Sequence, residues 1–131
     1  MKLVRGSEIE FVGASHEDPK QPGVFKRVLA TREQVLPGRV QMINWAKLPQ
    51  GSRFQRHYHE DMQEAFIILN GEVTMRVEQA DYRLAAGDMI LIDPREEHTM
   101  WNESQEDVAY VVIGITLDQG GQTVVVEPTD G

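Results

Sequence analysis

GSRFQRHYHEDMQEAFIILNG, running from Gly51 to Gly71, sets two histidines at alternate positions, a glutamate five residues further on, and a glycine at each end. Side chains on a strand alternate between its two faces, so His57 and His59 project the same way, about 6–7 Å apart along the chain. That separation lets two imidazoles converge on one ion. The same alternation predicts Arg53 and Gln55 on the histidine face, and Phe66 and Ile68 on the face of Glu64. Phe54 to His59 and Ala65 to Leu69 read as strands. Asn70-Gly71 between them and the next apolar run is a strong hairpin signal, expected to bring Glu64 beside the histidines. A second stretch, GDMILIDPREEHTMWN from Gly87 to Asn102, supplies His98, with Met100 and Asn102 on its face.

Outward from this centre the chain reads as many short strands. The lead-in, residues 1–23, is polar and punctuated by Gly and Pro, with a short strand expected within Glu8 to Val12. Val24 to Leu29 and Val40 to Trp45 are β-favouring runs, separated by a charged turn at Thr31 to Gln34 and by Pro37-Gly38. Beyond the hairpin come Val73 to Val77, Tyr82 to Leu84, a buried-looking Met89 to Ile92, Thr99 to Asn102, and Val108 to Thr116. Turns recur about every 8–12 residues and no apolar period of helical type is sustained, which predicts an all-β sandwich or barrel. We expect one domain over residues 1–131, with a barrel core at about 24–116 and a tail at 117–131. The tail's three valines, Val124 to Val126, suit an edge strand or an oligomer contact.

Composition narrows the function classes. The 131 residues carry 21 acidic and 13 Lys/Arg side chains, a net charge of −8. So acidic a chain repels phosphate backbones, so no nucleic-acid partner is expected. No apolar run approaches the ~18 residues of a membrane span, and the N-terminus lacks the apolar core of a signal peptide, so neither membrane attachment nor secretion is expected. There is no cysteine. That removes disulfides and thiolate ligands and fits a cytoplasmic location.

His57, His59, Glu64 and His98 form a nitrogen- and oxygen-donor set suited to a divalent transition metal: Mn, Fe, Ni, Co or Zn. Three of the chain's four histidines fall in it. The fourth, His16, sits in a loop-like stretch and reads as a solvated surface residue. Arg53 is the candidate for gripping a substrate carboxylate or phosphate, because guanidinium binds such groups through two hydrogen bonds. Gln55, Phe66, Met100, Trp45 and Tyr110 complete the candidate substrate pocket; Trp101 is a further aromatic for which packing is the plainer role. No second base stands out as a proton shuttle.

These two stretches resemble the paired signature motifs of the cupin superfamily. Gly51, His57, His59, Glu64 and Gly71 match the first, G-x(5)-H-x-H-x(3,4)-E-x(6)-G, at every position. Gly87, His98 and Asn102 match the second, G-x(5)-P-x-G-x(2)-H-x(3)-N, while Asp93 and Arg95 stand where the motif has proline and glycine. Those departures bear on the turn before His98. The resemblance implies a single-domain double-stranded β-helix, or jelly-roll barrel, with His57, His59, Glu64 and His98 as metal ligands. It also implies a homodimer, formed through the Val24–Leu29 strand or the C-terminal valines. The function it implies is a small metalloenzyme acting on an oxygen-rich metabolite, as an isomerase, decarboxylase or dioxygenase. The alternative is a non-catalytic module that binds or senses a small molecule; a storage role fits a single short chain least, since storage cupins are doubled and longer.

Overall fold

The computed structural model describes residues 1–117 and 122–127. Among the described residues eleven strands follow in chain order: β1 (Val12–Gly13), β2 (Phe25–Thr31), β3 (Val40–Leu48), β4 (His57–His59), β5 (Met62–Ile68), β6 (Glu72–Val77), β7 (Ala80–Ala85), β8 (Met89–Ile92), β9 (His98–Trp101), β10 (Val108–Thr116) and β11 (Thr123–Val125). They form two antiparallel sheets, one ordered β1-β2-β3-β10-β5-β8 and the other β11-β4-β9-β6-β7. This is the all-β, double-sheeted architecture that the strand rhythm predicts, and the jelly roll that the family resemblance implies. No helix among the described residues is long and apolar enough to cross a membrane.

Alternation fixes which residues face inward. In β5 buried positions recur at Met62, Glu64, Phe66 and Ile68, and in β10 at Val108, Tyr110, Val112, Gly114 and Thr116. Phe54, Leu48, Ile68, Met75 and Met100 are almost wholly enclosed. Each such side chain contributes roughly 1.5–3 kcal/mol by leaving water. Along β10 the inner face passes from Val108 in this apolar core to Val112 on the wall of a cavity.

Several expectations need correcting. The N-terminal strand within Glu8 to Val12 is instead a 3-10 turn at Gly6–Glu8 followed by the two-residue β1. Met89 to Ile92 is not a buried strand. It is the edge of its sheet, with Met89 and Leu91 exposed and Ile92 enclosed. Asn70-Gly71 reverses the chain but closes no hairpin: β5 pairs with β10 and β8, whereas β6 belongs to the other sheet. The turn is a corner between sheets. The Asn70 side chain holds it by accepting from Ala109 N–H and donating to the Asp107 carbonyl. Gly71 occupies it at φ +71°, where an added Cβ would lie 2.9 Å from Val108. Of the tail, 118–121 and 128–131 lie outside the described residues; Val124 lies in the edge strand β11, paired with Tyr58 of β4.

Candidate metal centre

His57 and His98 sit directly opposite each other on paired strands β4 and β9, and His59 follows two residues along β4 on the same inner face. Glu64 comes from the opposite sheet. The short corner between β4 and β5 carries the chain across, so its carboxylate faces the three rings rather than lying beside them. All four residues are buried, and one donor atom from each lies within 4.8 Å of the others. Ligands about 2.1 Å from one ion stand at most about 4.2 Å apart, so roughly half an ångström of adjustment would close the widest pair.

The outer nitrogens of the rings are already committed. His57 Nδ1 lies 2.7 Å from the Gln55 carbonyl, and His98 Nδ1 lies 2.9 Å from the Glu96 carbonyl. A carbonyl only accepts, so each Nδ1 carries a proton and each ring turns its Nε2 inward. His59 Nδ1 is 2.9 Å from the Thr123 hydroxyl. Glu64 Oε1 then lies 3.2 Å from His98 Nε2 and 2.7 Å from His59 Nε2. The second contact is misaligned for a hydrogen bond, which leaves the buried His59 Nε2 without a hydrogen-bond partner among the described residues. A carboxylate oxygen this close to inward ring nitrogens is held either by protons on those nitrogens or by a cation in their place.

The electrostatics agree. Burial, then repulsion from His16 and His98, pulls the His57 pKa down to about 2, so this ring is neutral at ordinary pH. Burial alone would raise the Glu64 pKa. The His59 and His98 rings beside it outweigh that and hold the carboxyl below its usual range. A buried cluster of three imidazoles and an ionised carboxylate, pre-oriented from behind, suggests a metal site.

A cavity of about 230 Å³ opens onto the cluster. Phe66 and Tyr110 line it, as their parity implies. Burial pushes the Tyr110 phenol pKa up, and the Glu64 and Glu17 carboxylates add to the shift, so it stays protonated. Met100 lies in the apolar core and Trp45 on the outer face of β3. Arg53 and Gln55 face a separate outer groove of about 880 Å³, where Arg53 lies 5.0 Å from the Trp101 ring. The cause is one surplus residue. Arg53 is bridged to Trp101 and His57 to His98, so four steps on one strand oppose three on the other. Such a bulge inverts parity, putting Phe54 on the cavity wall in place of its neighbours.

His16 is the other correction. Far from being solvated, it lines the cavity and stacks on His57, with ring centroids 4.1 Å apart at 23°. Its Nδ1 is 2.9 Å from the buried Glu17 carboxylate, which also accepts from the Gly23 and Gln55 amides. Nothing local in the sequence signals this, because the lead-in meets the β4 segment only through long-range contacts. Asn102, the last motif residue, points into no cavity. Its amide donates to the Leu48 and Glu106 carbonyls and its oxygen accepts from Ser104, tying down the β9–β10 loop.

Two face-to-face antiparallel sheets enclosing a three-histidine, one-glutamate cluster define the class of small jelly-roll proteins with an inward-facing donor site. The chain belongs to the cupin family: the Cupin domain model matches residues 44–114, which contain all four cluster residues. A Thermotoga maritima relative named oxalate-binding protein is 29% identical over 115 residues, covering 88% of this chain and 94% of its own. A solved Thermotoga maritima structure, described as a predicted oxalate decarboxylase, superposes with a TM-score of 0.78 at 29% identity, covering 88% of this chain and all of the other. The polyketide cyclase RemF of Streptomyces resistomycificus gives a TM-score of 0.80 at 14% identity, covering 99% of this chain and 88% of the other, a likeness of fold alone.

Proposed function

We propose that His57, His59, Glu64 and His98 hold a divalent transition-metal ion and that the chain is a small metalloenzyme acting on an oxygen-rich, carboxylate-bearing metabolite. The carrying observation is the inward convergence of ring nitrogens on one carboxylate oxygen, Glu64 Oε1, 2.7 Å from His59 Nε2 and 3.2 Å from His98 Nε2. A bound cation supplies Lewis-acid polarisation of a substrate oxygen. The chain's own residues do the remainder. Phe54, Phe66 and Val112 exclude water from the inner wall. Tyr110, a protonated phenol, is a hydrogen-bond donor there. His16, held at Nδ1 by Glu17, is positioned to hold or pass a proton at its other ring nitrogen. Support for a carboxylate comes from the Thermotoga maritima relative named for oxalate binding. The reaction class stays within decarboxylation, isomerisation and dioxygen-dependent cleavage.

Elemental analysis of protein purified without chelator or nickel resin tests the reading. Close to one equivalent of a transition metal is expected, and His59→Ala should lose it. Less than about a tenth of an equivalent in the unaltered protein would count against the proposal, since sites of this kind bind strongly. A panel of small oxo and hydroxy acids, with oxalate among them, offered to the loaded protein then separates turnover from mere capture: product formation marks an enzyme, thermal stabilisation alone a binding module.

A further inference from the structure

Arg53, the cation expected to grip the substrate, faces the outer groove, and a different cation stands in its place. Lys26 of β2 lines the cavity together with His57, His59 and Glu64 of the cluster. In register it lies opposite Ala46, whose small side chain leaves room on the inner face for the lysine stem. Among the described residues Lys26 is the only lysine or arginine on the cavity wall, and no carboxylate of those residues pairs with it. Glu64 is engaged by His59 and His98, and Glu17 by His16 and two amides. Burial draws the Lys26 pKa below its ordinary value, which marks the ammonium as partly stripped of water. Close by in the same wall, the buried Asn44 Oδ1 has no hydrogen-bond partner among the described residues. A half-buried cation and an unused acceptor on one wall are unfavourable until something polar enters.

We infer that Lys26 is a specificity-determining residue that binds a second anionic group of the substrate, remote from the end held at the metal. The inference rests on the metal-site reading above. The strand order sets the scale. β2 is three strands from β5, about 14 Å along the sheet at ~4.8 Å per strand. Oxalate joins its carboxylates by one bond and cannot serve both ends, so the substrate is a longer acid: an oxo or hydroxy acid with a distal carboxylate or phosphate.

Matched probes decide this. For the metal-loaded protein, calorimetry compares 2-oxoglutarate with 2-oxovalerate, equal in carbon number but differing in the distal carboxylate. It likewise compares 3-phosphoglycerate with glycerate, which differ in the phosphate. The distal anion should tighten binding on the order of tenfold or more in at least one pair, and the larger ratio identifies the anion. Lys26→Met should erase that ratio while leaving metal content and the affinity for the uncharged-tail probe unchanged, and Lys26→Arg should retain part of it. Full metal occupancy with no preference in either pair, or a preference that survives Lys26→Met, overturns the role of Lys26 alone. Absence of metal from the unaltered protein overturns the parent reading and this one together.

Discussion

At the scale of single residues, Arg95 shows how a motif position survives a change of side chain. It stands where the family motif has glycine, and it adopts the left-handed conformation glycine would, at φ +68°. Its amide donates to the His59 carbonyl at 2.7 Å, so the turn before His98 is pinned to the strand that carries His59. A non-glycine residue pays about 1–2 kcal/mol for this conformation. Arg95→Gly should therefore raise stability by roughly 0.5–1 kcal/mol, the greater freedom of glycine in the unfolded chain taking back part of the gain. The exposed Arg95–Glu60 pair it removes, at 3.4 Å, is worth little. Urea unfolding measures this; a clear loss of stability would mean that the arginine side chain, not the backbone, holds the turn. His57 gives a second prediction. Its folded pKa of about 2 lies below the ordinary imidazole value of about 6.5, so between these limits the unfolded chain binds the extra proton. Stability from this group is whole above pH 6.5 and is lost on acidification, at up to about 1.4 kcal/mol per pH unit. Glu64, held below its usual range, adds a loss of the same sign at lower pH. For the metal-free protein, the melting temperature should fall between pH 6.5 and 5, and His57→Gln should flatten that slope. A melting temperature flat across this window would contradict the assignment of a buried neutral ring.

At the scale of elements, what was legible in the sequence was what is encoded locally. The ligand spacing within β4 and the inward alternation of β10 follow from a two-residue period, and both appear in the fold. The bulge between Arg53 and His57 was not legible, because it exists only relative to β9; a strand read by itself carries no count of its partner's residues. Asn70-Gly71 misled for the same reason. Its turn chemistry is genuine, but whether a reversal closes a hairpin or turns a corner depends on which strand β5 prefers as neighbour, and that is β10. The lead-in is the largest such case. Ala14, Ser15, His16 and Val24 line the cavity, and the contact that seats this stretch is a close backbone approach at Gly23. A Cβ there would fall 1.8 Å from the Arg53 carbonyl oxygen and 2.9 Å from Glu17 Oε1. Neither the strand nor the buried carboxylate can yield cheaply, so Gly23→Ala should displace the lead-in, costing more than about 2 kcal/mol and exposing His16 and His57 to solvent. Thermal unfolding and hydrogen exchange over residues 14–26 measure both effects; unchanged protection there would show that the lead-in is not seated through Gly23.

At the scale of the whole molecule, the outer face of the larger sheet carries the remaining question of assembly. β10 is apolar on both faces. Its outward Val111 lies in register between Trp45 and Ile67, and Ile67 in turn is opposite Met89 at the sheet edge. The neighbouring row ends at Leu91. Met89 and Leu91 are 55% and 44% exposed, so the apolar stripe runs uncovered to the open edge of β8. Of the other two surfaces expected to suit a dimer, β2 is flanked by β1 and β3, with Val24 in the core, and β11 pairs with β4 on one edge. Two copies of a chain with net charge −8 repel over most of their surfaces and approach best where each presents none of that charge. We therefore expect a twofold homodimer through this face, an isologous contact in which the β8 edges are also covered. Light scattering should give twice the mass of one chain. Met89→Lys combined with Leu91→Lys should give a monomer, since burying two ammonium groups at such a face without partners is prohibitive. Because both side chains point away from the cavity, metal content should be unaffected in that variant. A monomeric mass for the unaltered protein, or a dimer that persists in the double variant, would place the contact elsewhere or remove it.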